Sequence, residues 1–401
     1  MGLALFVLLM VAALRSVTKH WLAGWTRLQD DWVLLYQAAT LGFNYVEFGF
    51  VRRGLGGTLI HWSGLSQIAG TVWFHVLSAL GVSTLACLLL RRLRAPLTVK
   101  AAFSLILLSL VFFWGEDAGR TDIAVAALLV LATMNVAAGR PLIAAVCLGV
   151  ALGFHESAFL FGLPLMLALV LAQRRQLTRS QRMRSAAAGA GLVVIGLAYL
   201  MIDRLPHADN ATMTEAIRSR LPSHVMVDWA IYFATSGSRG VLASVCQNIE
   251  VNPNYALLVA SGLIVIAVVI VTLCGADRRA WKLAALACLP GYLLLCIVAN
   301  DLGRWSTLAC FTAWLFALAR PDVHDAARPA LHAAPLVGAL VFVLLTNQKG
   351  PLRATIAVYT PSPPIEAVAI KLGRPQTPDV GVALQHCDPR WRDVLAQRRS
   401  P

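Results

Sequence analysis

The sequence predicts an all-α, polytopic membrane protein of about eleven transmembrane helices, with two long loops and a short tail on one side of the membrane. Two observations predict it. Of 401 residues, 58% are hydrophobic and only 13% charged, against about 25% charged in soluble globular chains, and the mean hydropathy is +0.69. The deficit of charge runs the whole length, which excludes a soluble domain with one anchor. The basic residues also gather in short connections between apolar runs, as the positive-inside rule describes. A net charge of +14 would suggest nucleic acid for a soluble chain; distributed in this way it reports topology, and no nucleic-acid partner is expected.

The first span is expected at about residues 2–17. It lacks a basic leader and a small-residue cleavage site, so it reads as a retained span. Residues 18–70 form the first long loop, whose Trp21, Trp25, Trp32 and Trp62 have the density of an interfacial belt; residues 31–39 suit an amphipathic interfacial helix. Span two, about 71–90, ends in Arg91, Arg92 and Arg94. Span three, about 101–113, rises to the turn Glu116-Asp117-Ala118-Gly119-Arg120-Thr121-Asp122, and span four, about 123–138, descends to Arg140.

Residues 141–172 are 32 in number, broken only by His155, Glu156 and Ser157. One helix of that length would reach about 48 Å, too long for a bilayer, whereas two full spans need about 40 residues. Two short spans hinged at a recessed His155-Glu156 resolve the conflict. An Arg-rich connection at 173–184 leads to span seven, about 185–202. The second long loop, about 203–254, precedes span eight at 255–273. Span nine rises to Asn300-Asp301, span ten descends to Arg320, and span eleven is about 334–345. Residues 1–346 thus make the membrane domain, and the Pro-rich residues 347–401 an outer tail or cap.

The connections at 91–100, 138–140, 173–184, 275–282 and 320–331 hold 15 basic residues. The short connections on the other side hold only Arg120 and Arg304. The N-terminus is therefore expected in the cytoplasm, and both long loops and the C-terminus outside. Most of the eight cysteines fall within spans; Cys246 and Cys387 fall in outer regions, where a disulfide between them would be allowed. No Cys/His spacing resembles a zinc site.

This topology collects Asp30-Asp31, Arg52-Arg53, Glu116-Asp117-Arg120-Asp122, His155-Glu156 and Asn300-Asp301-Arg304 on the outer side. Ionisable groups in or near a bilayer are costly, so they pair or serve a function. Carboxylates activate a hydroxyl or hold a divalent cation; arginine forks onto phosphate oxygens. Asp117-Ala118-Gly119-Arg120 is echoed by Asp301-Leu302-Gly303-Arg304, and the two turns read as opposite walls of one site. The alternative is that each aspartate simply pairs with the arginine three residues on. The stretch from Phe50 to Gly57 lacks the strand-helix context and lysine of a P-loop; it suits a basic interfacial turn.

The layout resembles that of GT-C glycosyltransferases, polytopic enzymes that take sugars from polyprenyl-phosphate carriers on the outer face. The resemblance places Asp30-Asp31 at the catalytic acidic position of the first outer loop. The chain is also similar to bacterial polysaccharide polymerases, with Arg52, Arg53 and Arg304 as counterparts of their functional arginines. The expectation is therefore a glycosyltransferase or polymerase of the bacterial inner membrane building envelope polysaccharide. A lipid-linked sugar and membrane lipids would be its partners, beside polysaccharide-assembly proteins. Arg52, Arg53, Arg120, Asp122, Asp301 and Arg304 would form the phosphate site, Asp30, Asp31 or Asp117 would supply the base, and His155 and Glu156 a second acid/base pair. No cofactor is required; a divalent metal on Glu116 and Asp117 is compatible with the residues. The rivals are a transporter or flippase for a lipid-linked anion, which predicts broken helices at mid-membrane, and a non-catalytic assembly subunit.

The topology makes a testable prediction. Substituted-cysteine labelling in intact cells should find position 179 protected and position 117 accessible. Equal accessibility at both would dissolve the shared outer site.

Overall fold

The structure, a computed structural model, describes residues 2–22, 32–93, 95–115, 119–174, 176–202, 205–222, 227, 245–246, 255–298, 302–320 and 333–347. Every apolar run becomes a helix: α1 Gly2–Ala13, α6 Gln67–Arg91, α7 Leu97–Trp114, α8 Thr121–Ala137, α9 Pro141–Phe154, α10 Ser157–Gln173, α11 Arg179–Leu200, α13 Tyr255–Cys274, α14 Arg278–Val298, α15 Leu302–Ala319 and α16 Ala333–Asn347. Four of these, α6, α7, α14 and α15, are long and apolar enough to cross a membrane. Large apolar side chains such as Leu3, Val11, Trp73, Leu77, Val146 and Val194 face outward. So much exposed hydrocarbon marks an interaction surface, and here lipid is the fitting neighbour.

The helix boundaries follow local chemistry. Ser66 caps α6 through the Ala69 N–H, and Pro141 opens α9 at the position where its missing N–H costs nothing. α11 begins at Arg179 and not near Ser185, because Thr178 and Gln181 form a reciprocal capping box; the helix extends through its basic stem. The bundle packs around α15, whose side chains from Trp305 to Leu318 are buried. The Trp314 indole N–H donates to the Phe103 carbonyl at 2.9 Å, and Trp114 packs edge-on against Phe311 at 5.0 Å. α1 crosses α7 so closely that a Cβ on Gly115 would lie 1.9 Å from the Ala12 carbonyl oxygen.

Successive helices alternate in direction. One end gathers basic groups: Arg320 pairs with Asp277 at 3.1 Å, and Arg279 donates to the Leu171 carbonyl at 3.2 Å. The other end gathers the candidate site.

The two long loops are not open. The first carries α2 Arg15–Leu22, α3 Trp32–Thr40, α4 Tyr45–Phe48 and α5 Gly54–Ser63, and the second carries α12 Asn210–Arg218. Leu35, Phe43, Phe48, Met213, Ile217 and Leu221 close a small core between them, separate from the bundle core. Backbone bonds from Phe50 N–H to Pro206 O (3.2 Å) and from Ala208 N–H to Phe48 O (2.9 Å) stitch the loops together. Sequence patterning missed this second core because its apolar residues come in runs too short to announce a partner. Among the described residues, six buried cysteines lie outside any disulfide and Cys246 is disulfide-bonded; Cys387, the proposed partner, lies outside the described residues, as do residues 348–401.

Glu47 forks onto Arg220 across the two loops, with the Nη1 contact at 2.7 Å. Hydrogen bonding from Arg220, against the opposing effect of partial burial, holds its carboxyl below the usual range. A depressed carboxyl stabilises the fold above its unfolded pKa, and that contribution disappears as pH falls through the lower folded value. Glu47→Gln should therefore lower the melting temperature at neutral pH by the small amount expected of a largely solvated pair, about 0.2–1 kcal/mol. The difference from the parent should shrink as pH falls below the ordinary glutamate value of about 4.3 and disappear once pH is below the lower folded value. A difference that persists undiminished at low pH would refute this assignment.

Candidate functional site

The site is built where five chain segments meet. α9 and α10 are 14 and 17 residues long, about 21 and 26 Å at helical rise, each short of the roughly 30 Å hydrocarbon core. The chain breaks between them at His155, whose extended backbone (φ −165°, ψ 139°) ends α9. The expected hinge is thus present, and His155 is 1% exposed.

Glu156 is forked to Arg53, with His155 beside it. Arg53 Nε donates to Glu156 Oε2 at 3.1 Å, and Nη2 bonds Oε1. His155 Nδ1 lies 3.7 Å from Glu156 Oε2. Arg53 sits just before α5 in the left-handed region (φ 58°, ψ 18°), a conformation that costs a non-glycine residue of order 1 kcal/mol or more. Its N–H donates to Tyr199 Oη at 3.0 Å, which helps to hold that backbone. The glycines that follow explain its placement: a Cβ on Gly57 would stand 1.8 Å from the Phe43 carbonyl oxygen. The stretch from Arg52 to Gly57 is therefore a close-packed helix start that aims Arg53 inward, not a headgroup-facing turn.

The second pair joins the echoed segments. Arg304 Nη2 donates to Asp122 Oδ1 at 2.8 Å and Nε bonds Oδ2; Asp122 is fully buried. The arginine of the late turn is thus held by an aspartate of the early one; Asp301, the local alternative, lies outside the described residues. The two segments are nonetheless not structural copies. Gly119 takes φ 91° and Arg120 caps α8, whereas Gly303 and Arg304 lie in the first turn of α15. Asp122, assigned from the sequence to phosphate binding, serves as the anchor of Arg304; an anionic side chain at the start of α8 also suits the helix dipole.

These groups form one cluster. His155 lies within electrostatic reach of Arg53, Glu156, Arg304 and Asp122, Asp122 within reach of Arg120, and Tyr36 of α3 within reach of Arg53, Arg120 and Arg304. Arg304 lies over the Trp305 ring at 4.7 Å, and that ring packs against His155 at 5.8 Å. Sequence reasoning missed Tyr36, Tyr199, Ser157 and Trp305; only Trp305, next to Arg304, carried a signal. Arg52 occupies the same turn as Arg53. Asp30, Asp31, Glu116, Asp117 and Asp301 lie outside the described residues. Among the described residues, no group of three or more His, Cys, Asp or Glu is placed to hold a metal ion.

Fold and site together define a polytopic membrane protein with paired arginines and carboxylates buried under a loop cap at one helix end. The chain belongs to glycosyltransferase family 87, whose family model matches residues 57–298, more than half of the sequence. The matched stretch includes Arg120, Asp122, His155 and Glu156, while Arg53 and Arg304 lie beyond it. No curated protein and no solved structure matches the chain.

Removing one partner of a buried ion pair strands the other, at a cost of about 3–5 kcal/mol. Asp122→Asn should therefore destabilise the detergent-solubilised protein far more than the double variant Asp122→Asn/Arg304→Met, read as thermal midpoints. Additive losses would show that the two residues do not act as a pair.

Proposed function

We propose that this membrane glycosyltransferase takes its sugar from a polyprenyl-phosphate carrier at the extracytoplasmic face of a bacterial inner membrane, for envelope polysaccharide synthesis. The observation that supports this most is the convergence of Arg53, Arg120 and Arg304 with Asp122 and Glu156 at one end of the helices. A nucleotide-sugar enzyme needs no such cluster at the ends of membrane helices, whereas a carrier phosphate lies at that depth. The orientation rests on the basic connections at the opposite end, which the positive-inside rule puts in the cytoplasm.

In the reaction, the acceptor hydroxyl oxygen attacks the anomeric carbon while a carboxylate takes its proton. The bond from that carbon to the phosphate oxygen breaks, and the carrier phosphate leaves with the electron pair. Arginines stabilise the charge that grows on the leaving phosphate. Asp31, which directly precedes α3, and Asp117, three residues before Arg120, are the candidates for the base. Glu156, forked to Arg53, is a positioning carboxylate in this scheme and no longer an acid/base partner of His155. A divalent metal is not needed for this chemistry. The transporter alternative wants charged breaks along the middle of the helices, whereas the described interhelical pairs sit at their ends.

Membranes supplied with radiolabelled polyprenyl-phosphate sugar should yield labelled polymer, and the same membranes given only nucleotide sugar and no carrier should yield none. Arg304→Lys, which loses the fork but keeps the charge, should slow transfer roughly ten- to hundredfold. Arg53→Met and Glu156→Gln should each lower transfer, and together should cost little more than either alone. Transfer from nucleotide sugar in carrier-free membranes would defeat the lipid-linked reading.

A further inference from the structure

Beside the two ion pairs lies a group of polar atoms that neither pair uses. His155 Nδ1 accepts the Ser157 N–H at 3.1 Å. A ring nitrogen that accepts carries no proton, so the neutral ring holds its proton on Nε2. That Nε2–H has no hydrogen-bond partner among the described residues, nor does the indole N–H of Trp305 or the hydroxyl of Ser157. All three side chains are buried, His155 at 1%, Ser157 at 0% and Trp305 at 3% exposure. They are neighbours: the Ser157 N–H is hydrogen-bonded to the histidine ring, and the histidine and indole rings pack in a tilted contact with centroids 5.8 Å apart.

A buried donor left without an acceptor costs about 1–3 kcal/mol, and native structures rarely leave several together without a use for them. The group is also chemically one-sided. Two atoms only donate, and the third both donates and accepts. It complements a ligand rich in neutral oxygens. The cations beside it, Arg53 and Arg304, are forked to carboxylates, so this wall offers donors without adding charge, which favours hydroxyl oxygens over a second phosphate.

We propose that His155 Nε2–H, Trp305 Nε1–H and Ser157 Oγ form the hydroxyl-recognition wall for the neutral sugar ring of the donor, and so set which hexose is accepted. This rests on the lipid-linked reading above and deepens it: the arginines take the phosphate, and these three groups read the sugar.

The test measures binding to full-length protein in nanodiscs. The probes are polyprenyl phosphate alone and polyprenyl-phosphate glucose, galactose and mannose. At least one conjugate should bind more tightly than the bare carrier. His155→Asn keeps an acceptor for the Ser157 N–H but removes the Nε2–H. This variant, Trp305→Phe and Ser157→Ala should each shrink that margin roughly three- to tenfold, with affinity for the bare carrier within about twofold of the parent. His155→Gln, whose amide reaches the Nε2 position, should restore part of the margin. If the variants weaken the bare carrier to the same degree, or leave the margin intact, the wall does not read the sugar and the inference falls. If the parent binds the carrier but shows no margin for any conjugate, only this inference falls. If it binds neither carrier nor conjugates, the lipid-linked reading falls with it.

Discussion

Asp122 and Arg304 stand 182 positions apart in sequence and share a two-point ion pair at the end of the bundle. Much of the structure depends on that contact. Arg304 opens α15, the helix around which the others pack, and Asp122 opens α8. An isolated charge at either place would face mostly hydrocarbon, where ionised groups are strongly disfavoured. The pair therefore fixes the relative height of two helices whose apolar faces would otherwise slide with little penalty, since one methylene packs much like the next. The Arg53–Glu156 pair does the same between the loop cap and the α9–α10 hinge. Two cross-links of this kind set one end of the bundle, and both rows of charge lie within reach of His155.

The recess follows from length alone. Neither α9 nor α10 has residues enough to cross a hydrocarbon core of about 30 Å unaided, so in a bilayer their length would put the turn between them below the surface. The turn exposes backbone groups that hydrocarbon cannot satisfy. Part of the answer is local: Ser157 N–H bonds the His155 ring, and His155 N–H bonds the Ala151 carbonyl. The rest is local too, since the Ala158 and Phe159 N–H groups donate to the His155 and Glu156 carbonyls; the cap meets the hinge through side chains, because α5 lies against α9 and delivers Arg53 to Glu156. A short span thus creates the polar hollow, and a glycine-rich helix start fills its mouth.

The sequence made the helices legible and left their pairing hidden. Apolar length and basic ends located the long helices, α11 alone starting six residues ahead of the expected span, and the arithmetic of residues 141–172 located the hinge at His155-Glu156. Those signals are one-dimensional, and the bilayer imposes them on the chain segment by segment. The partners of the charged groups are a different matter. Nothing in the sequence marks Arg53 as the partner of Glu156, 103 positions away. The repeat of Asp-x-Gly-Arg correctly suggested that two distant turns belong together. It also suggested equivalent geometry, which fails because Gly119 ends a turn while Gly303 lies inside a helix. Residues such as Tyr199 and Ser157 were invisible, since a tyrosine or serine at a helix end has no distinguishing pattern until its neighbour is known.

The pairing of Arg53 and Arg304 with carboxylates bears on how an anionic donor would enter. A bare arginine in this setting would be costly to bury and prone to shift, so a site built of unpaired cations would be poorly held before substrate arrives. Carboxylates remove that cost and fix each guanidinium plane. A guanidinium has five donors, and a fork onto one carboxylate uses two of them, so orientation by Glu156 leaves Arg53 with N–H groups for another oxyanion. Phosphate can then add to a cation already aimed, without a separate ordering step. The near balance of charge would also limit how tightly a spent phosphate carrier is held, which the proposed transfer needs for its release. On this view the carboxylates are what allow arginines to stand ready at the edge of a bilayer, and their loss would be felt first in the geometry of phosphate binding and only then in the chemistry.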